Sequence, residues 1–213
     1  MVSQRRRYLR GLGVVGRVGL AGCTGDGSGS AATDGGENSP PDDGPRGGGD
    51  TRPSGTGGPG VTVVSVDDRV DLPVQPGVEV VRETATAEHP PRLRTTLANT
   101  NDERVRVGEG RTVHFEFVAD DAGALVLLPP GPEYPVEPGC WRLTGGIATS
   151  EEYRTFGVDA DGSSERPVDL YARPGGDGCL PVGEYRFETT ISIVSADVEV
   201  LSSAEWGFTV VLE

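Results

Sequence analysis

"EYRFETTISIV" covers residues 184–194 and "EWGFTVVLE" covers residues 205–213. In the first, Tyr185, Phe187, Thr189, Ile191 and Ile193 alternate with Arg186, Glu188, Thr190 and Ser192. In the second, Trp206, Phe208, Val210 and Leu212 alternate with Glu205, Gly207 and Thr209. A period of two belongs to a strand with one buried face, because successive side chains of an extended chain point to opposite sides. A helix would scatter the same residues around its surface. "RTVHFEFV", residues 111–118, has the same alternation. It predicts a strand with Val113, Phe115 and Phe117 inward and His114 and Glu116 outward.

Working outward, further strands are predicted at 61–66, 78–83, 92–98, 103–107, 123–128, 140–144 and 167–172. Turn clusters such as "NTNDE" and "ADGSSE" separate some of them. No segment has the pattern of an amphipathic helix. Residues 61–213 are enough for one good core, and many short strands at this spacing predict an all-β, antiparallel β-sandwich. Two stretches carry a family resemblance. "RTTLANTNDERVRVGEGRTVHFEF" resembles a hairpin of surface-exposed immunoglobulin-like domains, and "LPVGEYRF" resembles the entry to a late strand in them. The resemblance implies an immunoglobulin-like sandwich, with Tyr185 as the corner tyrosine whose hydroxyl ties the turn back to the backbone.

The chain of 213 residues has a formal charge of −14, and all 19 of its basic residues are arginine. Such an acidic excess repels nucleic acid, so no nucleic-acid partner is expected. Lysine-free, acidic, glycine-rich chains resemble the proteins of extreme halophiles, where concentrated salt shrinks the Debye length to about 3 Å and screens self-repulsion.

The N-terminus reads as an address. Arg5-Arg6-Arg7-Tyr8-Leu9-Arg10 resembles a twin-arginine export signal, with Arg5 and Arg6 as the pair and Gln4 where Ser or Thr is usual. "GLGVVGRVGLAG" follows; it is shorter than the roughly 20 apolar residues of a membrane span, and it suits a signal peptide although Arg17 interrupts it. Leu20, Ala21 and Gly22 before Cys23 resemble a lipobox, which implies a lipid on Cys23 and removal of residues 1–22. A single lipid group holds weakly, and two chains are the usual requirement. Residues 24–60 contain 13 Gly and 5 Pro and no Val, Ile, Leu, Met or aromatic residue. They cannot offset the entropy of ordering and are expected to act as a disordered tether reaching about 35 Å. The whole chain resembles haloarchaeal lipoproteins, a family that implies an address on the outer face of the membrane and no known reaction.

With Cys23 lipidated, Cys140 and Cys179 remain as an even pair in a compartment where disulfides persist. "GCWRL" puts Trp141 beside Cys140, unlike antibody domains, whose tryptophan lies well between the cysteines. No catalytic motif emerges. There is no HExxH, no G-x-S-x-G and no phosphate-cradling glycine loop before a helix. A blue copper site needs two His, a Cys and usually a Met; no His follows either late cysteine and the only Met is Met1. His89 and His114 read as exposed imidazoles. "DADGSSE", Asp159–Glu165, has its glycine at the wrong place for a calcium loop and reads as a solvated hairpin turn. No metal, cofactor or catalytic residue is therefore expected. "LLPPGPEYPVEPGC" is a proline-stiffened loop expected to present Tyr134 as a contact residue. The functional expectation is a lipid-anchored, non-catalytic binding module with an unidentified envelope partner, contacting it through 129–139 and 145–155. A protease-inhibitor-like or accessory subunit, an extracytoplasmic hydrolase and a solute receptor rank behind it in that order.

Overall fold

The computed structural model describes residues 59–150, 152–176 and 178–213. The export signal at Arg5 and Arg6, the lipobox at Leu20, Ala21, Gly22 and Cys23, and nearly all of the tether lie outside them.

The described chain forms ten strands: β1 (Val61–Val66), β2 (Val74–Arg82), β3 (Arg92–Asn99), β4 (Val105–Gly108), β5 (Val118–Ala119), β6 (Leu125–Leu128), β7 (Thr155–Val158), β8 (Ser163–Ala172), β9 (Gly183–Val194) and β10 (Val200–Leu212). They make two antiparallel five-stranded sheets, ordered β1-β10-β9-β4-β7 and β2-β3-β8-β6-β5. The protein is an all-β sandwich. Seven strands follow the immunoglobulin-like order: β2, β3, β8 and β6 take the places of A, B, E and D, while β4, β9 and β10 take those of C, F and G. Strands β1, β5 and β7 extend the sheet edges.

The alternation holds in β9 but only in part in β10, where Gly207 and Thr209, expected outward, are buried and Trp206–Val210 form a continuous buried run. Phe187, Ile191, Trp206, Phe208, Val210 and Leu212 are buried, with Glu188, Thr190 and Glu205 exposed. Phe208 sits among three aromatic rings, 4.8 Å from Phe115, 5.6 Å from Phe187 and 6.1 Å from Trp206 between centroids. Tyr185, at the start of β9, donates its hydroxyl to the Val182 carbonyl at 3.3 Å, the corner geometry that the family resemblance implied.

Four local expectations are corrected. The strand expected over 111–118 does not form; only Val118 is extended, as the first residue of β5. Thr112–His114 form a 3-10 turn, and Phe115 and Phe117 have φ of 58° and 66°, which breaks the extended run. Val113 and Phe115 still reach the core, so the alternating pattern arises from inward anchors on a turn. His114 is buried rather than exposed. Residues 140–144 form only isolated bridges, Val136 with Leu143 and Arg142 with Ala172. Neither 99–105 nor 159–162 is a hairpin turn: each carries the chain from one sheet to the other. Asn99 secures the first crossing. Its side-chain amide donates to the carbonyls of Glu103, Val158 and Asp159 at 2.8, 3.1 and 3.0 Å, and its oxygen accepts from the Asn101 N–H at 3.0 Å.

Candidate functional site

Strand β6 reads "LVLL", and all four residues are buried. Leu125 and Leu127 enter the sandwich core, while Val126 and Leu128 belong to a second apolar cluster with Leu143 and Tyr171. A strand buried on both faces needs a cover on each. The outer cover is the segment 129–147, whose Tyr134, Val136, Trp141 and Ile147 pack on that cluster.

Several ties brace this cover. Cys140 and Cys179 form a disulfide with Cα atoms 4.7 Å apart. Arg142 grips Glu137 with bonds of 2.6 and 2.8 Å and also donates to the Gly176 and Gly178 carbonyls at 2.8 and 2.6 Å. The Trp141 indole donates to the Thr86 carbonyl at 2.7 Å. Tyr134 is half-buried, not presented to solvent. Its hydroxyl donates to the Pro129 carbonyl at 2.8 Å, and its ring meets Tyr171 edge-on at 5.5 Å. Burial raises both phenols to about 12, with Glu116 and then Asp169 adding to it for Tyr134 and Asp169 for Tyr171. Asp169 itself is held by a bidentate bond from Arg92 at 2.6 and 2.8 Å.

Beside the cover lies a cleft of about 260 Å³, floored by Val126, Leu128, Leu143, Phe117 and Ile147. Thr149 and Arg173 stand on its rim. A second depression of about 360 Å³ begins on the other side of Arg173 and Pro174. Arg173 is exposed, has only a long 3.5 Å contact to the Gly123 carbonyl, and makes no ion pair among the described residues. The chemistry offered is an apolar seat with one guanidinium at its edge. The contributing residues are dispersed from 117 to 173, which hides the cleft from sequence reasoning. The one available signal is four consecutive apolar residues in β6, which mark a strand covered on both faces.

A Ser–His pair also exists. His114 Nδ1 and Thr95 Oγ1 are 2.9 Å apart, as are His114 Nε2 and Ser164 Oγ. The Thr95 hydroxyl has the His114 and Arg166 carbonyls within 3.3 and 3.2 Å. The arrangement that uses every proton has Nδ1 donating to Thr95 and Ser164 donating to Nε2. Ser164 lies opposite buried Leu97 and faces the sandwich interior, and neither residue lines the two clefts described above. These bonds fasten the 3-10 turn to the sheet. Burial lowers the His114 pKa from 6.5 to about 4, and the Arg166 charge adds to this.

That shift gives a pH prediction. Between these values the unfolded chain binds the proton and the folded one does not. The His114 contribution is full above pH 6.5, falls as the pH drops toward 4, and levels off below. The loss amounts to about 3 kcal/mol. Urea midpoints measured across this range should fall more steeply for the wild type than for His114→Gln. Equal slopes would contradict the assignment.

Among the described residues, no three His, Cys, Asp or Glu side chains gather to hold a metal ion, and no helix is long and apolar enough to cross a membrane. No family model matches the chain, and no curated protein or solved structure matches it.

Proposed function

We propose that this chain is a membrane-anchored extracytoplasmic lipoprotein, and that its sandwich is a non-catalytic binding module at the cell surface of a halophile. Cys23 carries the lipid, and residues 24–60 lift the sandwich from the membrane. The contact site is the cleft between the braced cover and Arg173. It receives a partner group that is apolar in body and anionic at one edge. The reading rests on one observation: a cover held by a disulfide and by Arg142 still leaves an apolar floor open beside a guanidinium that has no carboxylate partner among the described residues. The order of the N-terminal motifs and the disulfide, which suits an oxidising compartment, support the address.

Titration with 8-anilinonaphthalene-1-sulfonate tests the site, since this probe joins an apolar ring system to a sulfonate. Saturable, blue-shifted emission is expected from the folded protein. Ile147→Asp should abolish it, and Arg173→Gln should weaken it by about tenfold, the change for roughly 1.4 kcal/mol. Emission that both variants leave unchanged would remove the cleft from the account.

A further inference from the structure

On the opposite sheet, Arg104 and Arg106 flank Val105. Val105 and Val107 point into the core, so Arg106 on β4 and Arg104 just before it share the outward side. Two residues of strand separate their Cα atoms by about 6.6 Å. Across the ladder, Arg106 lies opposite Gly157 of β7. Gly157 matters through what it lacks. A Cβ there would stand 2.6 Å from Arg104 Nη2 and 2.8 Å from its Cζ, so the guanidinium rests directly on the Gly157 backbone. Arg106 donates to the Thr155 hydroxyl at 3.3 Å. These residues line a polar groove of about 400 Å³.

The charges in this groove are poorly compensated. Asp159 approaches Arg104 at 3.5 Å, but the two side chains are 80% and 70% exposed, and ion pairs so fully in water contribute little. Arg106 makes no ion pair among the described residues. Two neighbouring like charges on one face are unfavourable alone and become favourable when an anion bridges them. Guanidinium forks match oxyanions in both geometry and charge.

We propose that Arg104, Arg106 and Thr155 form an oxyanion-binding site on the β4–β7 face, with Gly157 kept bare to seat Arg104. The ligand group is a carboxylate or a sulfate or phosphate ester. This site is separate from the Arg173 cleft and does not depend on it.

The test follows the melting temperature of the full, detergent-purified chain in potassium acetate, sulfate and phosphate, each against potassium chloride at equal ionic strength. A saturable rise beyond chloride is expected. A response to acetate alone assigns a carboxylate ligand; a response to sulfate or phosphate assigns an ester. Arg104→Gln and Arg106→Gln should each weaken the apparent affinity by about tenfold. Gly157→Ser, which displaces Arg104, should weaken it while both arginines remain. No excess over chloride, or an excess unchanged in the Arg104→Gln/Arg106→Gln double variant, overturns the proposal. If Gly157→Ser does not fold, the double variant still decides.

Discussion

Phe208→Ala should lower the stability of the sandwich by about 3–5 kcal/mol, the range for deleting a buried aromatic side chain. Phe208 is fully buried on β10, and its ring meets Phe115, Phe187 and Trp206. It links the 3-10 turn before β5 to the two longest strands of the first sheet. Truncation removes apolar contact and leaves a void that three rigid rings cannot fill. Domains are stable by only about 5–15 kcal/mol, so this one change consumes a large share. For a domain of this length the melting temperature should fall by about 10 °C. Thermal unfolding followed by circular dichroism reads the shift. A loss below about 1 kcal/mol would mean that the aromatic cluster is not the centre of the core.

Replacing both Cys140 and Cys179 by serine should cost about 4 kcal/mol, because the bond closes a loop with a sequence separation of 39 residues. Most of that effect lies in the unfolded chain, which gains freedom when the bond is removed. A local effect should accompany it. The disulfide joins the cover over β6 to the segment entering β9, while β9 and β10 hold each other through a long regular ladder. Amide exchange in 129–147 should therefore speed up while β9 and β10 keep their protection. Uniform change across the sandwich, or none in 129–147, would show that the bond does not brace the cover.

How much was legible in the sequence varied with the physics of each segment. Strand β9 was plain, because a half-buried strand writes its two faces into every second residue; β10 was found by the same pattern, although Gly207 and Thr209 on its supposed outer face are buried. Tyr185 was legible through its place after a Pro/Gly turn. Residues 111–118 misled for a definite reason: a turn with two inward anchors, Val113 and Phe115, spells the same alternation as a strand. The positive φ at Phe115 and Phe117 that separates the two has no marker in bulky aromatic residues. His114 was misplaced by the same error. Its hydrogen-bond partners Thr95 and Ser164 lie on strands far apart in the chain. The pairing of Cys140 with Cys179 followed from the count once Cys23 was assigned elsewhere. Tyr134 was expected to be presented by a stiff loop, but its ring turns inward because the outer face of β6 offers more apolar contact than solvent does. The clefts were illegible because each gathers residues from several distant segments, and only the fold brings them together.

The central claim is an anchored, exported module. The intact mass of the protein purified from its native membrane, with and without reductant, tests it most directly. The account predicts a chain that begins at Cys23 and is heavier by a lipid group, with a gain of about two mass units on reduction as the disulfide takes up two hydrogens. An unmodified chain that still carries residues 1–22 and has free thiols at Cys140 and Cys179 would contradict it.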